Sequence, residues 1–257
     1  MRALSVMVLI LVLTAMVGNA FAYYNVTSVN TTVILNKTTT AKVIETFYLY
    51  VSSSSVSQYA ASRGAYNFTL GDWQKILQSS LLTQHILNPV ESASDYSFLP
   101  GALTSEGTNG GTAVLIISYT VPNVTTVSEI APRKFEYDFN NSVFNFEHAA
   151  GGQELPNGAR LNFIVPNDSQ IISVYPLPDS PSPNYEGKYK NITAFSWFSQ
   201  EPLSGFSFSY ILMESPQQEV LSYFSNIYSS YTSFIYALAV VLLGVFAAYI
   251  YFKFIAV

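Results

Sequence analysis

The 257-residue chain contains no cysteine. That removes disulfides, thiol nucleophiles, thiolate metal sites and thiol redox chemistry together. Charge is scarce as well: Asp, Glu, Lys and Arg make up 11% of residues, against about a quarter in ordinary soluble proteins. Basic charge is the scarcer kind, with 11 Lys and Arg against 16 Asp and Glu. Basic residues cluster only as the pairs Arg133-Lys134 and Lys188/Lys190. Neutralising phosphates needs a basic footprint, so no nucleic-acid partner is expected. Histidine occurs twice, as His85 and His148, and no HExxH, G-x-S-x-G, Walker or EF-hand pattern is present. Such patterns carry the geometry that metal and nucleophile chemistry requires. No catalytic residue, cofactor or metal ligand is therefore expected.

What is present begins with apolar ends. No charge lies between Glu219 and Lys253. Residues 234–252 would form a helix of about 28 Å, the thickness of a bilayer's hydrocarbon core. At the other end, Arg2 precedes an apolar run and the small-x-small site Ala20-Phe21-Ala22, which reads as a secretory signal. The expected organisation is a signal peptide over 1–22, an ectodomain, a juxtamembrane helix over 214–232, a transmembrane helix over 233–252 and a cytoplasmic tail over 253–257. Membrane lipid is then a partner, the ectodomain lies outside the cell membrane, and the C-terminus is cytoplasmic. Ser233, Ala237, Gly244 and Ala248 form one helical stripe of small residues. Small residues let membrane helices approach closely, so this stripe is the expected face for a homo-oligomer or a membrane-complex partner.

All 16 acidic residues and nine of the basic ones fall in the ectodomain, giving it a formal charge of −7. Ser, Thr and Asn replace surface charge. Asn25, Asn30, Asn36, Asn67, Asn123, Asn140, Asn167 and Asn191 all stand in N-x-[ST] sequons without an intervening proline. Chance would give about half that number, so these asparagines are the expected N-glycosylation sites. An extracellular domain with sequons and no cysteine fits a prokaryotic, and more narrowly an archaeal, surface.

The ectodomain reads as strands. In residues 40–51, TAKVIETFYLYV, Val43, Glu45, Phe47, Leu49 and Val51 share one face, and aromatic and β-branched residues dominate. Further strands are expected at 24–35, 112–121, 134–139, 143–148, 160–165, 170–174, 189–198 and 205–213, with Asn140-Asn141 as a hairpin turn. Thr69-x-x-Asp72 followed by Leu70, Trp73, Ile76, Leu77 and Leu81 predicts one amphipathic helix over 70–87. The stretch from there to Gly111 reads as loop. The fold class is thus mainly β: one or two immunoglobulin-like β-sandwich lobes (23–121 and 122–213, divided at Val121-Pro122-Asn123), one short helix and the terminal membrane helix.

His85 falls on the apolar side of the expected helix, where a structural, hydrogen-bonded histidine is the usual case. His148 follows Glu147 and precedes a glycine pair, but neighbouring strand residues face opposite ways and do not easily share a ligand. Glu136 and Asp138 share a strand face, as a half-solvated strand also produces. Phe135, Tyr137, Phe139, Phe144 and Phe146 could form an aromatic platform or cross-strand core pairs.

The order of a signal peptide, TTAKVIETFYLYV, a short helix, GTAVLIISYTV, FEYDF, RLNFIVP before or at proline and a terminal membrane helix resembles archaeal-type predicted membrane proteins. Their ectodomain is a β-sandwich of unknown function. The resemblance implies a fold and a location and transfers no functional residue. The leading expectation is a non-enzymatic, N-glycosylated, membrane-anchored surface protein that acts by protein or envelope interaction or as an accessory subunit of a membrane complex. The alternative is a membrane-anchored extracellular hydrolase using carboxylates or a His148 site.

Overall fold

Alternation of buried and exposed side chains runs nearly unbroken through three twelve-residue strands, and those strands lie side by side in the larger sheet. In a computed structural model of the protein they are β1 (Tyr24–Leu35), β2 (Ala41–Ser52) and β5 (Gly110–Val121). The residues described are 24–65, 69–105, 110–149, 151–183 and 188–215, with Tyr231, Phe234, Tyr236, 241–246 and Lys253. Between β2 and β5 come helices α1 (Val56–Gly64) and α2 (Leu70–Leu77) and strands β3 (Ser94–Pro100) and β4 (Thr104–Ser105). After β5 follow β6 (Thr125–Ala131), β7 (Lys134–Phe139), β8 (His148–Ala149), β9 (Gly152–Gln153), β10 (Ala159–Ile164), β11 (Gln170–Tyr175), β12 (Ala194–Phe198) and β13 (Ser207–Met213).

The larger sheet has the order β12-β10-β1-β2-β5-β3, with β4 beside β5; a second sheet has the order β11-β13-β7-β6; β8 and β9 form a small ribbon. The mainly-β, two-sheet architecture agrees with the sandwich expected from sequence. The expected division into two lobes does not. Strand β1 pairs in parallel with β10, from Val29 opposite Ala159 to Ile34 opposite Ile164, so one sheet spans both sides of Val121. Apolar alternation leaves both edges of a strand open to pairing, and the N-terminal strand takes its second neighbour from the later half of the chain. Compactness divides the chain elsewhere, into Met1–Ser128 with Glu136–Leu212, and Glu129–Phe135 with Met213–Val257. Within the second unit Glu214 N–H donates to Arg133 O at 2.8 Å.

In the first unit, the buried face of the large sheet meets the second sheet through aromatic rings. Phe163 of β10 lies 4.7 Å from Phe139, 5.4 Å from Trp197, 5.4 Å from Phe206 and 5.2 Å from Phe208, mostly edge to face. Edge-to-face rings place positive edges against negative faces, which adds to the hydrophobic gain. Tyr137 stacks on Tyr210 at 5.0 Å, and their hydroxyls donate to Lys37 O and Asn36 O. Of the five aromatic residues read as a platform or as core pairs, Tyr137, Phe139, Phe144 and Phe146 are buried in the core, and Phe135 is half-buried.

The helix expected over 70–87 stops at Leu77. Its start is as read: Thr69 Oγ1 accepts from Asp72 N–H, and the Asp72 carboxylate accepts from Thr69 N–H at 3.0 Å. The bond from Thr69 N–H, and then one from Thr69 Oγ1 at 2.7 Å, hold the Asp72 carboxyl below its ordinary range. Gln78 then turns left-handed, at φ 49°, and Gln74 Nε2 reaches Leu82 O at 2.7 Å, folding the chain back. Leu82, His85 and Ile86 become buried on an irregular segment of turns and bends, so the helical spacing of Leu81 was coincidental. The strand expected over 143–148 is also absent. Asn140 Oδ1 accepts from Ser142 N–H and starts a 3-10 turn, Asn141–Val143. Residues 143–145 then pair with 85–87, through Leu87 N–H to Val143 O and Asn145 N–H to His85 O.

Among the described residues no helix is long and apolar enough to cross a membrane. The expected signal peptide, most of 214–232 and most of 233–252, including Ser233, Ala237 and Ala248, lie outside the described residues; Gly244 is described and helical.

Because Phe163 joins rings from both sheets, Phe163→Ala should lower unfolding free energy by about 3–5 kcal/mol, the usual cost of a large core truncation. Leu99→Ala, at an exposed position of β3, should change it by less than about 0.5 kcal/mol. Urea denaturation of the two variants measures the contrast.

Candidate functional site

A carboxylate on the core face of a central strand is costly unless every oxygen is matched, and this chain has one. Glu45 of β2 is fully buried, facing the same way as Val43 and Phe47. His85 N–H donates to Oε1 at 2.8 Å, and the ring Nδ1 lies 2.8 Å from Oε2. The Tyr119 hydroxyl, reaching from β5, donates to Oε1 as well. Ile86 N–H in turn donates to the Tyr119 oxygen at 3.4 Å. The His85 ring stacks on Phe146 at 4.8 Å, and Tyr96 stacks over Tyr119 at 6.4 Å. Burial, and then the Glu45 charge, push the Tyr119 phenol far above its ordinary range; the same two causes raise Tyr96. Ionisation of Tyr119 is thereby suppressed, which keeps its proton on the bond to Glu45.

His85 is hydrogen-bonded and buried, although on an irregular segment and not on a helix. Nothing opens this centre to solvent: Glu45, His85 and Tyr119 are 0%, 2% and 1% exposed. The arrangement fastens segment 82–87 to the sheet. A lone acid within an otherwise apolar strand face was the signal for it, since such a group demands a cationic or donor partner, and only two histidines were available.

The open candidates are dispersed. His148 is exposed on β8 opposite Gln153, while Glu147 accepts from Ser80 Oγ at 2.5 Å. Glu136 is half-buried and Asp138 exposed on β7. No group of three or more His, Asp or Glu side chains suited to a metal ion occurs among the described residues. Glu201 has its carboxyl pushed up by burial and by the Asp179 charge, but Asp179 is engaged by Phe198 N–H at 2.8 Å.

The sequon asparagines separate by position. Asn36, Asn123, Asn167 and Asn191 are exposed in connections between strands, and Asn25 is exposed on β1. Asn36 Oδ1 accepts from Thr38 N–H at 2.8 Å and Thr38 Oγ1 at 2.6 Å. Asn123 is left-handed, at φ 52°, and donates to Glu91 at 2.6 Å; Asn191 is left-handed at φ 57°. Asn167 and Asn191 both line one surface cleft of about 810 Å³. Asn30 and Asn140 are half-buried, Asn30 in the middle of β1. Asn67 lies outside the described residues. No protein-family model matches the chain, and no curated protein matches it.

Removing Glu45 should expose the dependence of the 82–87 segment upon it. Glu45→Ala leaves buried donors unmatched and should cost about 3–5 kcal/mol. Tyr119→Phe removes one charge-assisted bond and should cost about 1.5–3 kcal/mol. Equal losses in chemical denaturation would mean that the carboxylate itself is not the anchor.

Proposed function

We propose that this chain is a non-enzymatic, N-glycosylated cell-surface protein, anchored by its C-terminal apolar segment, that acts by binding a protein or envelope component or as an accessory subunit of a membrane complex. The observation that carries the reading is the placement of the sequons. Five of their asparagines are exposed, and four of these sit in connections between strands, where an added glycan projects into solvent without breaking a strand ladder. The apolar termini of the sequence, the scarcity of charge and the likeness to archaeal-type membrane proteins support the same reading. The closed centre at Glu45 supports a structural role for the chain's buried polar groups.

Two measurements test it. Peptide mass spectrometry of the protein from its native membranes should find glycan on Asn36, Asn123, Asn167 or Asn191, and mature chains beginning at Tyr23. Unmodified asparagines throughout, or retention of residues 1–22, would overturn the glycosylated, signal-cleaved reading.

Association through the terminal helix is tested separately. A Cβ added at Gly244 meets nothing within 4 Å among the described residues. The chain itself therefore accommodates Gly244→Leu, and leucine is favourable in a bilayer. Crosslinking in native membranes should show weaker dimer or partner yield, by about 1–2 kcal/mol of association free energy. An unchanged yield would leave the helix as a lone anchor.

A further inference from the structure

The large sheet turns its second face outward, and one row of that face brings together groups that match a single kind of ligand. Register places Phe198 of β12 beside Arg160 of β10, Arg160 beside Asn30 of β1, and Asn30 beside Thr46 of β2. Ser28 registers with Tyr48, one pleat further along the same face. Between these side chains runs a groove of about 340 Å³, walled by Tyr48 and Phe198 and crossed by Arg160.

Three properties of the groove bear on what it would hold. Its walls are aromatic and open: Tyr48 and Phe198 are 43% and 37% exposed. Its cation is held in place, because the Arg160 guanidinium lies 4.3 Å from the Phe198 ring centre. Among the described residues no carboxylate pairs with Arg160, and no acidic side chain lines the groove. In a chain with a formal charge of −5, an unpaired arginine fixed on an aromatic ring is a local reversal of sign.

The third property is a free amide. Asn162 Nδ2 donates to Asn30 Oδ1, and Ser196 Oγ donates to Asn162 Oδ1 at 2.7 Å, which orients Asn30 and leaves its Nδ2 without a partner among the described residues. The groove floor is fixed as well. Gly158, at φ +79°, carries no side chain where a Cβ would stand 2.7 Å from Thr27 O. Its N–H donates to Ser199 Oγ at 2.9 Å, its carbonyl accepts from Val29 N–H at 3.1 Å, and Thr27 Oγ1 donates to Tyr48 O at 3.1 Å.

We propose that this groove binds an acidic sugar residue of a glycan, its carboxylate on Arg160, a hydroxyl on Asn30 Nδ2 and its C–H face against Tyr48 or Phe198. Arginine's planar fork matches a carboxylate bidentately. Aromatic walls with few, oriented polar groups are the usual make-up of a small-ligand site. Charge complementarity selects the acidic sugar over a neutral one. The inference rests on the reading of this chain as an interaction protein and narrows its envelope component to one chemistry. It also assigns Asn30 to the ligand: its sequon should be empty, since a glycan on Nδ2 would fill the groove.

The test uses the full chain in detergent micelles, made in a host without N-glycosylation, titrated calorimetrically with trigalacturonic acid and with maltotriose. The acid should bind and the neutral trisaccharide should bind at least about tenfold more weakly, as expected when a charge-assisted contact is lost. Arg160→Met keeps a stem over Phe198 but removes the charge, and should weaken the acid's binding by a similar factor. Lys75→Met, the same change of charge on the exposed face of α2, should leave it unaltered. Circular dichroism melting checks that each variant is folded, and Phe198→Leu gives a second probe of the groove wall if Arg160→Met is not. No binding of the acid, equal binding of the neutral sugar, undiminished binding by the folded groove variant, or a glycan on Asn30 in the native protein would each overturn the proposal. The same native-protein mass spectrum that finds other sequons empty would count against the surface-glycoprotein reading while leaving the titration to judge the groove.

Discussion

The Glu45 carboxylate determines how segment 82–87 is attached to the large sheet. A charged group at the centre of a sheet persists only where donors surround it, and here they come from a second strand and from a segment without regular structure. Apolar contacts alone tolerate sliding, because one methyl replaces another at little cost. Hydrogen bonds at fixed distances do not. Segment 82–87 therefore has one permitted register on the sheet, and residues 143–145, which pair with it, inherit that register.

The buried face of the large sheet consequently has two covers of different character. Beneath β12 and β10 the cover is a second sheet joined through rings, with Phe208 against Phe163 and Phe195, where packing shape decides. Beneath β2, β5 and β3 it is helices and irregular chain. There the Tyr59 ring lies tilted against Trp73 at 5.2 Å, and its hydroxyl, with a pKa pushed up to about 12 by burial, donates to Gly101 O. Polar groups in that region are directed and few, as a cover lacking its own hydrogen-bond ladder requires.

Strands whose alternation was strict were legible from sequence. Strands β1 and β7 fall at the expected residues, and β2, β5, β10, β11 and β13 lie within two residues of them at either end. Strand β6, TTVSEIA, was missed because one buried residue at its start leaves no period to detect. Strand β3 sits among Ser and Gly and is bulged, so its residues do not alternate in burial. Helix α1 has a weak apolar stripe, burying only Tyr59 and Ser62. The end of α2 was misread because Gln78 adopts a left-handed conformation that glycine more often signals. For the buried centre, the sequence placed Glu45 among Val43, Phe47 and Leu49; what it did not give was the partner, which depends on a fold-back forty residues away. The outward groove was invisible for a similar reason, since register between three strands, and no local motif, sets Phe198, Arg160 and Asn30 in one row.

The parallel ladder between β1 and β10 carries a consequence in time. Its partners, Val29 and Ala159, are 130 positions apart. Closing so long a loop must precede any reward from the ladder, which places this pairing among the slow events of folding. A chain that emerges from its N-terminus can form the β1-β2-β5 meander early, yet one side of β1 stays unpaired until β10 has been made. Through that interval the row of open N–H and C=O groups is a template for any extended peptide nearby. Synthesis of residues 122–164, between the end of β5 and the end of β10, is thus the period in which this molecule is most exposed to mispairing with its own copies.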